Sequence, residues 1–113
     1  MIAKIHINLT ELVDRQSLFE LFVSTFSFPA YFGYNWDALS DMMSSLDPAA
    51  DIFQHMGSPL TGVHLIFEGF DVFESHFPES DLDQFRALLI DLSLGRDFRS
   101  DHLSFTFELR YSP

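Results

Sequence analysis

The chain has 113 residues with 17 Asp+Glu against 6 Lys+Arg, no cysteine and a formal net charge of −11 at pH 7. Hydrophobic residues make up 47% and 14 of the residues are Phe, which excludes a disordered acidic tail, because such tails lack the apolar surface that offsets ordering entropy. Six basic residues cannot neutralise a nucleic-acid backbone, no apolar run approaches the ~20 residues that span a bilayer, and the lack of cysteine removes disulfides, thiolate metal sites and a Cys nucleophile.

Residues 2–8 alternate, with Ala3, Ile5 and Ile7 on one side and Lys4, His6 and Asn8 on the other, and so read as a half-buried strand. Asp14 or Thr10 can cap a helix that runs to about Phe26, in which Leu18, Phe22 and Phe26 recur at helical spacing. Ser27-Phe28-Pro29 ends it, since a residue before proline is pushed out of the helical region. Gly33 marks a turn, and Asn35 is suited to cap a second helix over 36–46 with Trp36, Leu39, Met42/Met43 and Leu46 on its apolar face. Residues 47–62 contain two Pro and two Gly and read as a long surface connector, with room for a short element.

The span 63–68 is a second strand. Phe70, Phe73 and Phe77 mark a short helix closed by Pro78. Ser80 is expected to cap a longer helix with Leu82, Phe85, Leu88/Leu89 and Leu92 buried, and Gly95 to stop it. Over 102–109, Leu103, Phe105, Phe107 and Leu109 alternate with His102, Ser104, Thr106 and Glu108. The order βααβααβ implies one domain over 1–113: a two-layer α/β fold with a three-stranded parallel sheet and about four helices. The polar side of the outer strands places the helices mainly on one face and leaves the other largely solvated.

Residues 28–43 read FPAYFGYNWDALSDMM, and here two residues have no structural account: Asp37 and Asp41. At spacing i, i+4 they share a helix face, with Ser40 and Ser44 beside them and Trp36, Leu39 and Met43 opposite. Like charges so placed destabilise a helix by about 0.2–0.5 kcal/mol. The helix dipole compensates Asp37 in the first turn but does not reach Asp41. No Lys or Arg occurs between Arg15 and Arg86 to relieve the pair. The face is either a solvated acidic surface or a rigid pair of carboxylates held for another molecule's cations.

The run from Phe28 to Asp41 resembles the signature of the barstar family: apolar-Pro-x-aromatic-aromatic-Gly-x-Asn-apolar-Asp-Ala-Leu-x-Asp. The element order extends the resemblance over nearly the whole chain, although the 47–62 connector is longer than the family needs. The resemblance implies a cytoplasmic protein that binds a basic ribonuclease one-to-one, plugs its active site and protects the producing cell. Carried over by motif position, Asp41 matches the carboxylate that sits in the enzyme's phosphate site, and Asp37 one that pairs with an active-site arginine. Tyr31 matches an aromatic that packs on the catalytic histidine, while Gly33, Tyr34 and Asn35 shape the loop and Ser40 and Ser44 lie at the rim. Three departures bear on which partner is bound. Ser40 stands where an aromatic is frequent, Tyr34 where a polar or acidic residue is frequent, and Ala87 where the last helix would carry a further carboxylate, with Asp83 and Asp91 one turn to either side.

Other constellations are weaker. His6, His64 and His102 fall on the polar sides of strands, but no spacing rule makes them a metal site, and neither metal nor cofactor is expected. Asp37/Asp41 and Glu68/Asp71 lack the concave pocket that acid–base catalysis needs, so the chain is not read as an enzyme. The acids Glu68, Asp71, Glu74, Glu79, Asp81 and Asp83 read as a solvated face. No secretory signal is expected from the first residues, and nothing demands a dimer, so the free protein is expected to be a monomer. The alternative from another class is an acidic interaction module, or an antitoxin, for a basic partner that is not a ribonuclease.

Overall fold

The structure is a computed structural model that describes residues 2–46, 53, 60–94 and 103–111. The alternating segments form β1 (Ile2–Asn8), β2 (Gly62–Glu68) and β3 (Ser104–Leu109) in one parallel sheet of order β1-β2-β3. Ile2 lies opposite Gly62, which lies opposite Ser104, so the three strands run level. Between them lie α1 (Arg15–Phe26), α2 (Trp36–Ser44), α3 (Phe70–His76) and α4 (Glu79–Leu94), giving the βααβααβ order that the sequence implies.

Asp14 caps α1. Its carboxylate accepts from the Ser17 amide at 2.9 Å while the Ser17 hydroxyl oxygen accepts from the Asp14 amide at 3.3 Å, a reciprocal capping box. Thr10, the other candidate, instead donates through its amide and hydroxyl to Asn8 Oδ1. The helix ends on Ser27, which turns left-handed at φ 55° and returns its amide to the Val23 carbonyl, so a C-terminal cap does the work expected of Pro29. The expected start of α4 needs correction. Ser80 lies inside the first turn, the helix opens at Glu79, and the Pro78 carbonyl accepts the Leu82 amide at 2.9 Å. Helix α2 ends at Ser44, two residues short of Leu46. Gly95 and His102 lie outside the described residues, as does most of the 47–62 connector, of which Phe53 and Leu60 are buried.

One face of the sheet carries the core. Ala3, Ile7, Val63, Leu65, Phe67 and Phe105 pack with Phe22 of α1, Phe70 and Phe73 of α3 and Leu82, Phe85 and Leu89 of α4. The Phe stripes are therefore core. On the other face stand Lys4, His6, His64, Glu68, Thr106 and Glu108, with Ile66 as a departure: flanked in register by His6 and Glu108, it is only 2% exposed. Long polar side chains thus cover an apolar residue on a face expected to be wet. His6 Nδ1 is 2.6 Å from Glu68, and His64 Nδ1 is 2.7 Å from Thr106 Oγ1.

The Arg110 guanidinium donates to Glu108, and His64 stands 3.4 Å from the same carboxylate. These hydrogen bonds, Arg110's first, hold the Glu108 carboxyl below the usual carboxylate range. Because folding lowers this pKa, the group stabilises the fold above the ordinary carboxylate range and loses that contribution as pH falls through its lowered value. A carboxyl-carbon NMR titration is expected to place Glu108 below the usual carboxylate range, and Arg110→Gln to move it back up. An unmoved titration in that variant would contradict the assignment.

Candidate functional site

The loop between α1 and α2 is built on rings. Phe26, Phe28 and Phe32 follow one another at centroid separations of 6.0 and 5.2 Å, and Phe32 meets Tyr34 at 5.0 Å and Phe19 at 6.1 Å. Phe28 and Phe32 are buried, whereas Tyr31 between them is 73% exposed and Tyr34 is 40% exposed. Burying alternate aromatics fixes a loop that would otherwise have to be ordered by a partner.

The turn itself is not where the sequence suggests. Gly33 does not carry the left-handed backbone; Tyr34 does, at φ 50°. Non-glycine residues held there cost about 1–3 kcal/mol, retained only where the surroundings over-determine them. Gly33 instead sits close to a side chain: a Cβ there would lie 3.1 Å from Asn35 Nδ2, which donates to the Gly33 carbonyl at 3.2 Å and would have to give way by a few tenths of an ångström. Asn35 thereby serves both elements, since its Oδ1 accepts the Ala38 amide at 2.8 Å as the N-cap of α2. Asn35→Ala is expected to cost about 0.5–2 kcal/mol of stability, readable by denaturant titration. A variant as stable as the parent would show the cap to be dispensable.

Helix α2 is anchored by Leu39 and Met43, both 0% exposed, and by Trp36. The Trp36 indole N–H donates to Asp81 Oδ1 of α4 at 3.3 Å, its ring meets Phe19 at 5.0 Å, and Arg15 of α1 approaches Asp81 at 4.0 Å. Asp81 is therefore no part of a solvated acidic face: its side chain is 18% exposed and ties three helices together. Glu74 likewise pairs with Arg86 at 2.8 Å.

With the apolar side of α2 turned inward, Asp37 and Asp41 face outward and are exposed, and among the described residues neither carboxylate has a partner. Ser40 is half-buried between them. Ser44 departs from expectation: it is 7% exposed, and its hydroxyl donates to the Asp41 carbonyl at 3.1 Å, so it belongs to the base of the helix and not to a rim. The presented surface is thus Tyr31, Tyr34, Asp37, Ser40 and Asp41, on a frame set by Gly33 and Asn35.

Two clefts flank α2. One of about 200 Å³ opens toward α4 and is lined by Trp36, Asp37, Ser40, Gln84, Leu88 and Asp91. It brings Asp91 to the same depression as Asp37, while Asp83 takes no part in its lining. Gln84 was not singled out from the sequence; the spacing 84, 88, 91 puts those residues on one face of α4, but only packing reveals that this face meets α2. The other cleft, about 320 Å³, lies on the opposite side beside Tyr31 and Asp41.

Chemically, the exposed face offers carboxylates fixed on a helix, with an aromatic surface beside them and, among the described residues, no cation paired with them. Among the described residues no group of three or more His, Asp or Glu is gathered for a metal ion, and no helix is long and apolar enough to cross a membrane. No curated protein matches the sequence. A family model described as Barstar (barnase inhibitor) matches residues 2–110.

Proposed function

The chain belongs to the barstar family, and from that premise we propose that it inhibits a basic ribonuclease, docking one-to-one and closing the active site with the outer face of α2. The observation that carries the reading is the pair Asp37/Asp41, exposed and without a described partner on a helix that buried aromatics hold in place. Spare carboxylates on a rigid element are a standing cost in the free protein, and a partner's cations relieve it.

A ribonuclease active site arranges cations for phosphate oxygens, and a fixed carboxylate can occupy the place of one through charge-assisted hydrogen bonds. In this reading Asp41 takes the phosphate position, Asp37 pairs with a further arginine, and the Tyr31 ring covers the catalytic histidine. Gly33, Tyr34 and Asn35 hold the loop, and Ser40 sits between the carboxylates as a small rim contact. Asp91 adds acidity across the α2–α4 cleft where Ala87 supplies none. The net charge of −11 steers a basic enzyme toward this face and keeps RNA away. The protein acts in the cytoplasm, as a monomer when free.

RNA cleavage by a small basic ribonuclease of the barnase type, with and without one equivalent of the protein, tests the reading. Cleavage is expected to stop at one-to-one stoichiometry, and RNA to compete for the enzyme. Undiminished cleavage at a severalfold excess would overturn it in favour of a basic partner of another kind.

A further inference from the structure

We propose that the outer edge of β3, with the cleft between it and α4, takes an added strand: an extended, uncharged segment of another protein, antiparallel to β3, with one apolar side chain seated in the cleft. The proposal does not depend on the inhibitor reading. In the order β1-β2-β3 the last strand lies at one side of the sheet, and among the described residues no strand pairs with its outer edge. The Ser104 amide donates to the Thr61 carbonyl and the Arg110 amide to that of Phe67, so the parallel ladder turns the even-numbered residues of β3 toward β2. Phe107 and Leu109 therefore turn their amides and carbonyls outward, while their side chains pack toward the helices. Beside them a cleft of about 160 Å³ is lined by Arg86, Leu89 and Ile90 of α4 and by Phe107 and Leu109 themselves. One strand thus offers outward backbone groups and an apolar socket, the two parts by which an added strand gains affinity and specificity.

The occupant follows from size and charge. The socket is too small for a drug-sized ligand, whereas a cavity of about 150 Å³ with Leu, Ile and Phe walls holds one benzene, so a single Phe or Leu side chain suits it. The charged groups around it are already engaged: Arg86 with Glu74 at 2.8 Å and over the Phe70 ring at 5.7 Å, and Arg110 with Glu108. A charged strand gains nothing from them. The stretch 86–110 also carries four arginines and four carboxylates, so the net charge of −11 lies outside it, and a neutral strand is not disfavoured there. A second copy of the chain would bring a further −11 and is repelled. The opposite edge of the sheet is guarded, since β1 carries Lys4 within the strand, but β3 has neither Lys nor Pro to discourage strand addition. Ile90 is 50% exposed, and Leu94, one turn further along α4, is 58% exposed, so apolar surface continues from the cleft. Helix α4 turns Gln84, Leu88 and Asp91 toward α2 and Arg86, Leu89 and Ile90 toward this cleft. An added strand therefore leaves the outer face of α2 open, and the protein can hold two partners at once.

The probe is the capped peptide acetyl-Thr-Val-Thr-Phe-Thr-Val-Thr-amide, added to the isotope-labelled full chain. With free peptide at about ten times its dissociation constant, the Phe107 and Leu109 amides are expected to exchange with solvent about tenfold more slowly. The Thr106 and Glu108 amides, already turned to β2, should keep their rates. Alanine in place of the peptide's Phe should weaken binding about 10- to 150-fold, the value of one buried ring. Methylating that residue's amide nitrogen should abolish binding, because hydrogen-bonded antiparallel neighbours exchange both bonds. Ile90→Lys, at an exposed position, should keep the melting midpoint and lose the peptide. Unchanged exchange at Phe107 and Leu109, equal affinity for the alanine peptide, or tighter binding of peptides with Lys or Glu at the threonine positions would overturn the inference. So would protection of both amides in the free chain, which sedimentation would trace to a second copy or to the chain itself. The ribonuclease assay, run with and without saturating peptide, keeps the two ideas apart. Inhibition without peptide binding retires the strand site alone, and peptide binding without inhibition retires the ribonuclease alone.

Discussion

Asp41→Ala is expected to weaken ribonuclease binding by about 30- to several-thousand-fold and to leave the thermal midpoint unchanged or slightly raised. The loss corresponds to about 2–5 kcal/mol for removing one partner of a desolvated, hydrogen-bonded charge pair, a range for which barnase–barstar is itself the type example. The absence of a penalty in the free protein comes from this chain alone. Among the described residues the Asp41 carboxylate has no partner, so its truncation breaks no described hydrogen bond or ion pair. It removes a like-charge neighbour of Asp37 worth about 0.2–0.5 kcal/mol and introduces the better helix former. Inhibition titrations and a melting curve on the same sample check both halves. A variant that loses its fold would show Asp41 to be structural, and one that inhibits as well as the parent would move the phosphate mimic elsewhere.

Phe85→Ala is expected to have the largest effect on stability, about 3–5 kcal/mol out of the 5–15 typical of such a domain. Phe85 is 0% exposed and its ring meets Phe22 at 6.4 Å, Trp36 at 6.3 Å, Phe67 at 5.4 Å and Phe73 at 5.7 Å. From α4, its side chain is met by rings of α1, α2, β2 and α3. Rings on four elements cannot all collapse into one void, so the cavity term is retained. The thermal midpoint should fall by roughly 10–20 °C. A fall of less than about 3 °C would mean that the surrounding rings repack. Because Trp36 borders the same void, the variant should also bind less well even where it is folded.

What the sequence revealed and what it concealed divide along physical lines. One-sided burial writes itself as periodicity, which is why the alternation of β1 and the Leu82/Phe85/Leu89 stripe of α4 predict the layers, and why the two aspartates opposite an apolar arc stand out. Features set by hydrogen bonding are not written that way. Ser44 looks like a surface residue from its polarity, but a hydroxyl that bonds the carbonyl three residues back satisfies itself and can be buried. At the start of α4 the Pro78 carbonyl accepts the Leu82 amide and the first turn carries the acids Glu79 and Asp81, in place of the more familiar serine cap. Tyr34, and not its glycine neighbour, adopts the left-handed backbone, its ring against Phe32 and the Asn35–Gly33 hydrogen bond spanning it. That Asp37 and Asp91 line one cleft was beyond reach, since it depends on how α4 lies against α2.

The seat of Trp36 gives the molecule an optical handle. It is the chain's only tryptophan, half-buried, with its indole N–H on Asp81 and its ring against Phe19, and it lines the cleft that also holds Asp37. Excited at wavelengths that tyrosine does not absorb, the protein emits from this one indole. Unfolding exposes the indole to water and shifts its emission to the red, whereas a protein docked over α2 would dry its open edge and shift it to the blue. One fluorophore, placed by evolution for packing, therefore reports folding and capture as displacements of opposite sign.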